Sequence, residues 1–397
     1  MVIPRLSILM SVYNGGQYLG ECVDSILNQT FKDFEFIIVD DGSSDNTWEI
    51  LTHYAKQDER IVLLRNQPNL GVVKALNKGL ASAQAQIIAR QDADDISHSE
   101  RLQRQIDFLD QHPDYGLVAV VPMLVGMDGN PLERSHYTAT GDKEIQELLL
   151  DYMCLCGPTI MMRRESLEQA GFYFTEGLDA SEDYDICLRM AEVTKLASLE
   201  GYLYKYRQQP ESASSKRSAQ QMFNKAVALE RAISRRYGNH PPEDKIATVA
   251  RDYLHAAIIA FSKHDPELSR LGLECARGIH PSILETNQPI EDLVRAYTPD
   301  DSIKSALDYT DSIFRDLFPG TKLLVQMRSR LLSNLHMSQV FDGARNGNFA
   351  LVDQHLWMGI RNQPSWLLDK GVISILAKSL FKRSLSGQTN KDGRNIE

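Results

Sequence analysis

The sequence predicts an α/β domain built on a mostly parallel sheet, followed by an all-α region. Three observations carry this. Up to about residue 207, short apolar runs alternate with amphipathic helical segments. Acidic clusters stand directly after two of those runs. Beyond a polar, serine-rich stretch at 209–218 the periodicity is helical nearly throughout. The expected division is 1–215 and 216–397, with a polar tail over about 386–397.

The elements follow in order. Leu6 to Val12 is a short buried strand, and Tyr18 to Asn28 carries helical spacing through Leu19, Cys22, Val23, Ile26 and Leu27. Phe34 to Val39 is a second buried strand and Trp48 to Tyr54 a helix. Ile61–Leu64 and Ala85–Ala89 are strands on either side of a helix over Val72 to Ala81. Continuous apolar strands between helices imply a parallel sheet covered on both faces. Right-handed crossovers then gather the strand C-terminal ends on one edge, where ligands of such sheets bind.

A helix from Arg101 to about Asp110 stops at His112-Pro113. Leu117 to Val125 reads as one strand, with a hairpin turn at Asp128-Gly129. Glu144–Tyr152 is helical, Thr159–Met162 a short strand followed by a helix ending at Gly171, Glu182–Val193 a helix and Tyr202–Arg207 a last strand. The helical region holds a weak internal repeat. Phe261–Asp265 through Leu284 resembles Ala344–Asn348 through Leu367, each with a polar turn, a leucine-spaced helix and Pro-Ser. Helical-hairpin repeats and an ordinary bundle both suit this pattern.

Composition narrows the function. The chain has 397 residues, 43% of them hydrophobic, and a net charge of -10. An acidic chain is a poor match for nucleic acid, which needs a basic surface. A phosphate-bearing ligand would then need a divalent cation as bridge. Five scattered cysteines read as reduced core thiols, as in the cytoplasm. The N-terminal apolar run is too short for a signal peptide and is broken by Arg5, and no window approaches the ~18 apolar residues of a membrane span.

Four constellations carry chemistry. Ser11 to Gly16 ends the first strand with a glycine pair, which lets backbone pass close to a ligand. Asp40-Asp41-Gly42-Ser43-Ser44-Asp45 ends the second, and turn chemistry does not explain two adjacent acids there. Asp92-Ala93-Asp94-Asp95 sets three acids in four residues, which repel unless a cation neutralises them. Hard ions such as Mg²⁺ or Mn²⁺ bind one or two carboxylates plus phosphate oxygens. Ser181-Glu182-Asp183-Tyr184-Asp185 opens a helix, where a carboxylate facing the sheet edge can serve as general base.

With these residues in view, the chain resembles the family 2 glycosyltransferases of bacterial type, with their inverting chemistry and GT-A fold. SVYNGGQYLGECVDSILNQTFKDFEFIIVDDGSSDNTWEIL, NLGVVKALNKGL, the DADD acids with Glu100-Arg101-Leu102, and SEDYD occur in the family's order over roughly residues 4–210. The resemblance implies that Tyr13 stacks on the nucleotide base, most often uracil, and that Asp41 hydrogen-bonds to it. Asp92 would sit near the ribose and share the metal site. Asp94 would hold Mn²⁺ or Mg²⁺ on the diphosphate. Lys74 and Arg101 would fall on the donor side. Glu182-Asp183 occupies the place of the base, with Asp183 preferred.

The expected activity is transfer of a sugar from a nucleotide diphosphate, UDP above all, to a glycan or lipid-linked acceptor in cell-surface polysaccharide synthesis. Two rivals stay open: a nucleotidyltransferase of related fold, and a non-catalytic scaffold. The loop Tyr13–Gln17 has no Lys or Arg, against the first, and all four acidic motifs are intact, against the second. The expected location is cytoplasmic. Ile375, Leu376, Leu380 and Phe381 beside Lys378, Lys382 and Arg383 suit either a peripheral membrane contact or a terminal helix docked on its own domain.

Overall fold

The computed structural model describes residues 3–132, 139–208, 218–283, 308, 311–317 and 324–388. The chain forms two compact units, Met1–Ala256 and Ala257–Glu397. The boundary expected at 215 falls within 209–217, outside the described residues.

In the first unit seven strands form one sheet. They are β1 (Leu6–Val12), β2 (Phe34–Asp40), β3 (Ile61–Arg65), β4 (Ile87–Arg90), β6 (Tyr115–Val120), β8 (Met161–Arg163) and β9 (Lys195–Leu199), in the spatial order 3-2-1-4-8-6-9. The first four run parallel, β8 is antiparallel to both neighbours, and β6 and β9 are parallel. Side chains on a strand alternate between faces. Ile8, Met10, Phe36 and Ile38 share a core with α1 (Leu19–Leu27) and α4 (Arg101–Gln111). Leu9, Ile37 and Val39 face α3 (Val72–Ser82), whose Gly79 lies against all three. Both faces are covered, so the strands can be apolar without interruption.

The remaining elements of this unit are α2 (Thr47–Gln57), α5 (Asp142–Leu148), α6 (Arg164–Gln169), α7 (Glu182–Met190), α8 (Ser218–Tyr237) and most of α9 (Glu243–Ser262). A second sheet holds β5 (Ile96–Ser97), β10 (Tyr204–Arg207) and β7 (Met123–Val125), with β10 in the middle. The strand expected over 117–125 is therefore two, and they belong to different sheets. Pro122 lies at the break, where a residue without an N–H ends a ladder. The strand expected over Thr159–Met162 is β8, which starts two residues later because Gly157–Thr159 forms a 3₁₀ turn, where Thr159 Oγ1 donates to the Cys156 carbonyl at 2.7 Å. The sequence reading also missed β9, which takes the chain that leaves α7 back into the main sheet.

Although α8 follows the polar stretch, it is bonded to the sheet unit. Asn224 Nδ2 donates to the Asp179 carbonyl at 3.0 Å, and Arg235 pairs with Glu192 at 2.8 Å.

The second unit is helical: α10 (Pro266–Ile279), a π-helical turn (Ile313–Leu317), α11 (Leu324–Arg345), α12 (Phe349–Asn362), a 3₁₀ turn (Pro364–Leu368) and α13 (Lys370–Gln388). The repeat seen in the sequence recurs as local geometry. Asp265 caps α10 through the Leu268 N–H, and Asn348 caps α12 through the Leu351 N–H. Each cap follows a residue with positive φ, His264 at 58° and Gly347 at 72°, and each opens a helix of 14 residues. Met337, Val340, Val352, Leu356 and Ile360 form the core under α12. No helix among the described residues is long and apolar enough to cross a membrane. Of the polar tail expected over about 386–397, residues 386–388 belong to the end of α13; the rest, and the side chains of 380–388, lie outside the described residues.

Candidate active site

The C-terminal ends of β1, β2 and β4 meet on one edge of the main sheet. After β1 the chain passes Tyr13, whose side chain stands 53% exposed, as a stacking surface requires. The loop beneath it is tied to the turn after β2. Asn14 N–H donates to Ser43 Oγ at 2.9 Å, Gly15 N–H to Thr47 Oγ1 at 2.9 Å, and Ser44 N–H to Asn14 Oδ1 at 2.9 Å. Thr47 opens α2, and its own N–H is capped by Asp45 at 3.0 Å.

The adjacent acids after β2 divide their work. Asp40 is fully buried and pairs with Arg65 at 2.9 Å. Asp41, 3% exposed, accepts from Asn66 Nδ2 at 2.8 Å and from the N–H groups of Leu70 and Gly71 at 3.0 and 2.9 Å. It therefore holds the 66–71 loop in place. A carboxylate has about four acceptor positions, so a further bond to a base would use what is left. Asn66 was missed in the sequence because its role depends on a turn that brings it 25 positions back to Asp41.

The acids after β4 divide similarly. Asp95 is 1% exposed and points inward, where Oδ1 accepts the Arg207 N–H at 2.8 Å. Burial, with Asp94 and Asp92 nearby, pushes its carboxyl well above the usual range. Asp92 keeps a side chain 37% exposed and pairs with Arg90 at 3.1 Å. Arg207 on β10 orders the loop: its Nε donates to the Asp94 carbonyl at 3.0 Å and Nη1 to the Met127 carbonyl at 3.0 Å.

On α7, Glu182 and Asp183 stand on the same edge. Arg90, 3% exposed, reaches Glu182 at 3.3 Å while holding Asp92, and so joins the β4 loop to the helix. The sequence signal for Arg90 was a charged residue ending an otherwise apolar strand. Glu182 is 5% exposed and its Oε2 finds no hydrogen-bond partner among the described residues. Burial first, then Asp183, push its carboxyl up to about 7 against the pull of Arg90. Asp183 is half-buried, takes the Tyr184 N–H at 2.8 Å, and is also raised by burial, with Arg90 opposing and Asp92 adding. Its Oδ2 lies over Gly157, where any Cβ would collide with it. Gly157 is a second residue the sequence reading missed.

Two expected donor-side residues differ. Lys74 is exposed on the first turn of α3, and nothing among the described residues ties it to the site. Arg101 is not available to a phosphate. It is fully buried, and its N–H groups are taken by Gln105, Gln91, Ser97 and the carbonyls of Arg90 and Pro158, at 2.8–3.3 Å. It braces α4 against β4 instead.

The edge thus presents an exposed aromatic ring, an acidic loop with Asp92 and Asp94 partly open to solvent, and a half-buried carboxylate of raised proton affinity. Such a set can hold a nucleotide, neutralise a phosphate through a cation, and accept a proton from a neutral hydroxyl.

The comparisons give the family. The family model described as Glycosyl transferase family 2 matches residues 7–171. An uncharacterised glycosyltransferase of Methanocaldococcus jannaschii is 33% identical over 207 residues, covering 51% of this chain and 71% of that one. The O-antigen biosynthesis glycosyltransferase WbnJ of Escherichia coli is 32% identical over 194 residues, covering 48% and 72%. Among solved structures, S. aureus TarS 1–349 in complex with UDP superposes with a TM-score of 0.48 at 20% identity, covering 86% of this chain and 92% of that one. That likeness is too slight to bear on function.

Proposed function

Because the chain belongs to glycosyltransferase family 2 and is a glycosyltransferase, we propose that it moves a sugar from a nucleotide diphosphate, UDP in the first instance, with inversion at the anomeric carbon. The observation that carries this is the Arg90 bridge. It ties Glu182, the chain neighbour of Asp183, to Asp92 of the acidic loop, which supports a proton acceptor and a phosphate-binding edge sharing one site.

The roles follow from the chemistry. Tyr13 stacks on the base, and Asp41 both bonds to it and keeps the 66–71 loop closed behind it. Asp183 takes the proton of the acceptor hydroxyl. That oxygen attacks the anomeric carbon opposite the diphosphate, the carbon–diphosphate bond breaks, and configuration inverts. Glu182 keeps Arg90 in position. Mn²⁺ or Mg²⁺ held by Asp94 and Asp92 would supply Lewis-acid stabilisation of the charge on the leaving diphosphate. The donor set that would take such an ion is small: Asp92 and Asp94 are partly open to solvent, and no third His, Cys, Asp or Glu side chain joins them at one point among the described residues. Hard cations of this kind take one or two carboxylates and complete their shell on phosphate and water.

A glycan or lipid-linked acceptor in surface polysaccharide synthesis suits the printed role of WbnJ. The same reading places the enzyme in the cytoplasm. Ile375 and Leu376 of α13 pack on the core of their own unit, which favours a docked terminal helix; a peripheral membrane contact would rest on Ile373, 49% exposed, and on Leu368, 84% exposed in the turn before α13, near Lys370 and Lys378. Co-sedimentation with anionic liposomes, for the full chain and a truncation after Lys370, tests that contact; supernatant recovery of both at low salt overturns it. The function itself is tested with a panel of nucleotide sugars and Mn²⁺, by product analysis. Free UDP is expected. Pyrophosphate would replace the reading with nucleotidyl transfer, and binding without turnover on any acceptor would leave a scaffold.

A further inference from the structure

A cleft of about 460 Å³ opens in the sheet unit between the 69–71 loop, the 177–179 loop and the first turns of α8. That lies within the roughly 300–1,000 Å³ of small-molecule sites. Its polar lining is Asn69, Asp179, Gln220 and Asn224, with Leu70, Gly71 and Gly177 completing the walls. Among the described residues no basic or aromatic side chain lines it, so this lining offers a phosphate no cation and a nucleobase no ring to stack on. Carboxamides donate and accept, and a carboxylate accepts. Side by side they match adjacent hydroxyls of a neutral sugar ring.

Both walls are held by parts of the active site. Asp41 fixes one through the N–H groups of Leu70 and Gly71. The other is the chain that leads into α7 and Asp183. It is pinned to α8 by Asn224 Nδ2 on the Asp179 carbonyl at 3.0 Å and by Ser181 Oγ on the Gln221 carbonyl at 2.9 Å. The two walls meet at Gly71, where φ is 93° and a Cβ would lie 2.9 Å from Asp179 Oδ1. Asn224 is committed to the scaffold, since its Oδ1 also accepts from Gln220 Nε2 at 2.8 Å. The Asp179 carboxylate is half-buried, and no donor reaches it among the described residues. Gln220 is exposed at the rim.

We propose that this cleft binds a neutral pyranose of the reaction, with Asp179 and Gln220 selecting it by its hydroxyls. The proposal rests on the nucleotide-sugar reading above. It assigns part of the sugar specificity to α8, outside the stretch matched by the family model.

The test uses the full chain with Gln220→Ala and Asp179→Asn, both checked for fold by circular dichroism. UDP affinity is read by calorimetry. KM is read separately for the donor, by hydrolysis of UDP-glucose, UDP-galactose and UDP-N-acetylglucosamine, and for an acceptor, by transfer. UDP affinity should stay within about twofold of the wild type, while one sugar KM rises roughly 3- to 10-fold per hydrogen bond lost. A rise confined to the donor assigns the ring to the donor, and one confined to the acceptor assigns it there. Unchanged KM values for both, in both variants, with UDP still binding, would overturn the cleft and leave the active site standing. Absence of UDP binding by the wild-type chain would remove the reading beneath the proposal, and the proposal with it.

Discussion

The acids after β2 and the acids after β4 have one sequence form and unequal uses. Both follow an apolar strand onto the same sheet edge, and each sends one carboxylate inward: Asp40 to Arg65, and Asp95 to the Arg207 backbone. The difference lies in what remains. Asp41 spends both oxygens on the 66–71 loop, while Asp92 stays 37% exposed beside Arg90. The first loop is a structural clamp at the rim of a pocket. The second keeps charge at the surface, where a cation or phosphate can reach it. A cluster of acids is thus not one kind of site, and its exposed members are the ones to test for ligands.

The sharpest break in that comparison is Asp94→Asn. Transfer should fall to background while the fold and its thermal midpoint survive, and excess EDTA should do the same to the wild-type chain. Full activity in EDTA would remove the cation from the second loop. Asp183→Asn comes next, with kcat lowered by ~10²-fold or more and UDP affinity nearly unchanged in calorimetry. If Glu182→Gln lost turnover while Asp183→Asn kept it, the base would be the more buried acid.

Smaller effects belong to the first loop. Tyr13→Ala should weaken UDP binding by about 1–3 kcal/mol, the usual scale of base stacking, without altering stability. Asp41→Ala should weaken UDP binding and also lower the thermal midpoint, because three donors lose their acceptor. An Asp41→Ala variant with wild-type stability would contradict the clamp. The smallest expected effect is a pH dependence. Glu182 has its carboxyl raised to about 7 in the folded chain, chiefly by burial. A raised acid stabilises the fold fully below its unfolded value, and that contribution is lost as pH rises through the folded one. The midpoint of Glu182→Gln relative to the wild type should therefore climb between about pH 5 and pH 8. A constant difference over that range would refute the shift.

Much of the fold was legible because strands buried on both faces leave continuous apolar runs, as in Phe34–Val39. β9 was not, since Lys195–Leu199 is short and carries Lys and Ser, and its pairing with β6 is a long-range event. Nor was the split at Pro122, because a local pattern cannot report which of two sheets a segment joins.

The candidate site divides in the same way. The sequence alone determined where candidate side chains would stand, since a strand end or an acidic first helical turn is a local arrangement: Tyr13, Asp41, Asp92 and Asp94 follow strands, and Glu182 and Asp183 open α7. Tertiary structure decided which of them face inward and what they hold. Arg101 looked like a phosphate ligand from its neighbours in the chain, yet the packing of α4 against β4 closes every N–H on protein oxygens. Arg90, Arg207 and Gly157 matter through partners 92, 113 and 26 positions away, at Glu182, Asp94 and Asp183. Burial and hydrogen bonding between distant segments exist only once the chain has folded, and they set which charges are spent on the scaffold and which are left for a ligand.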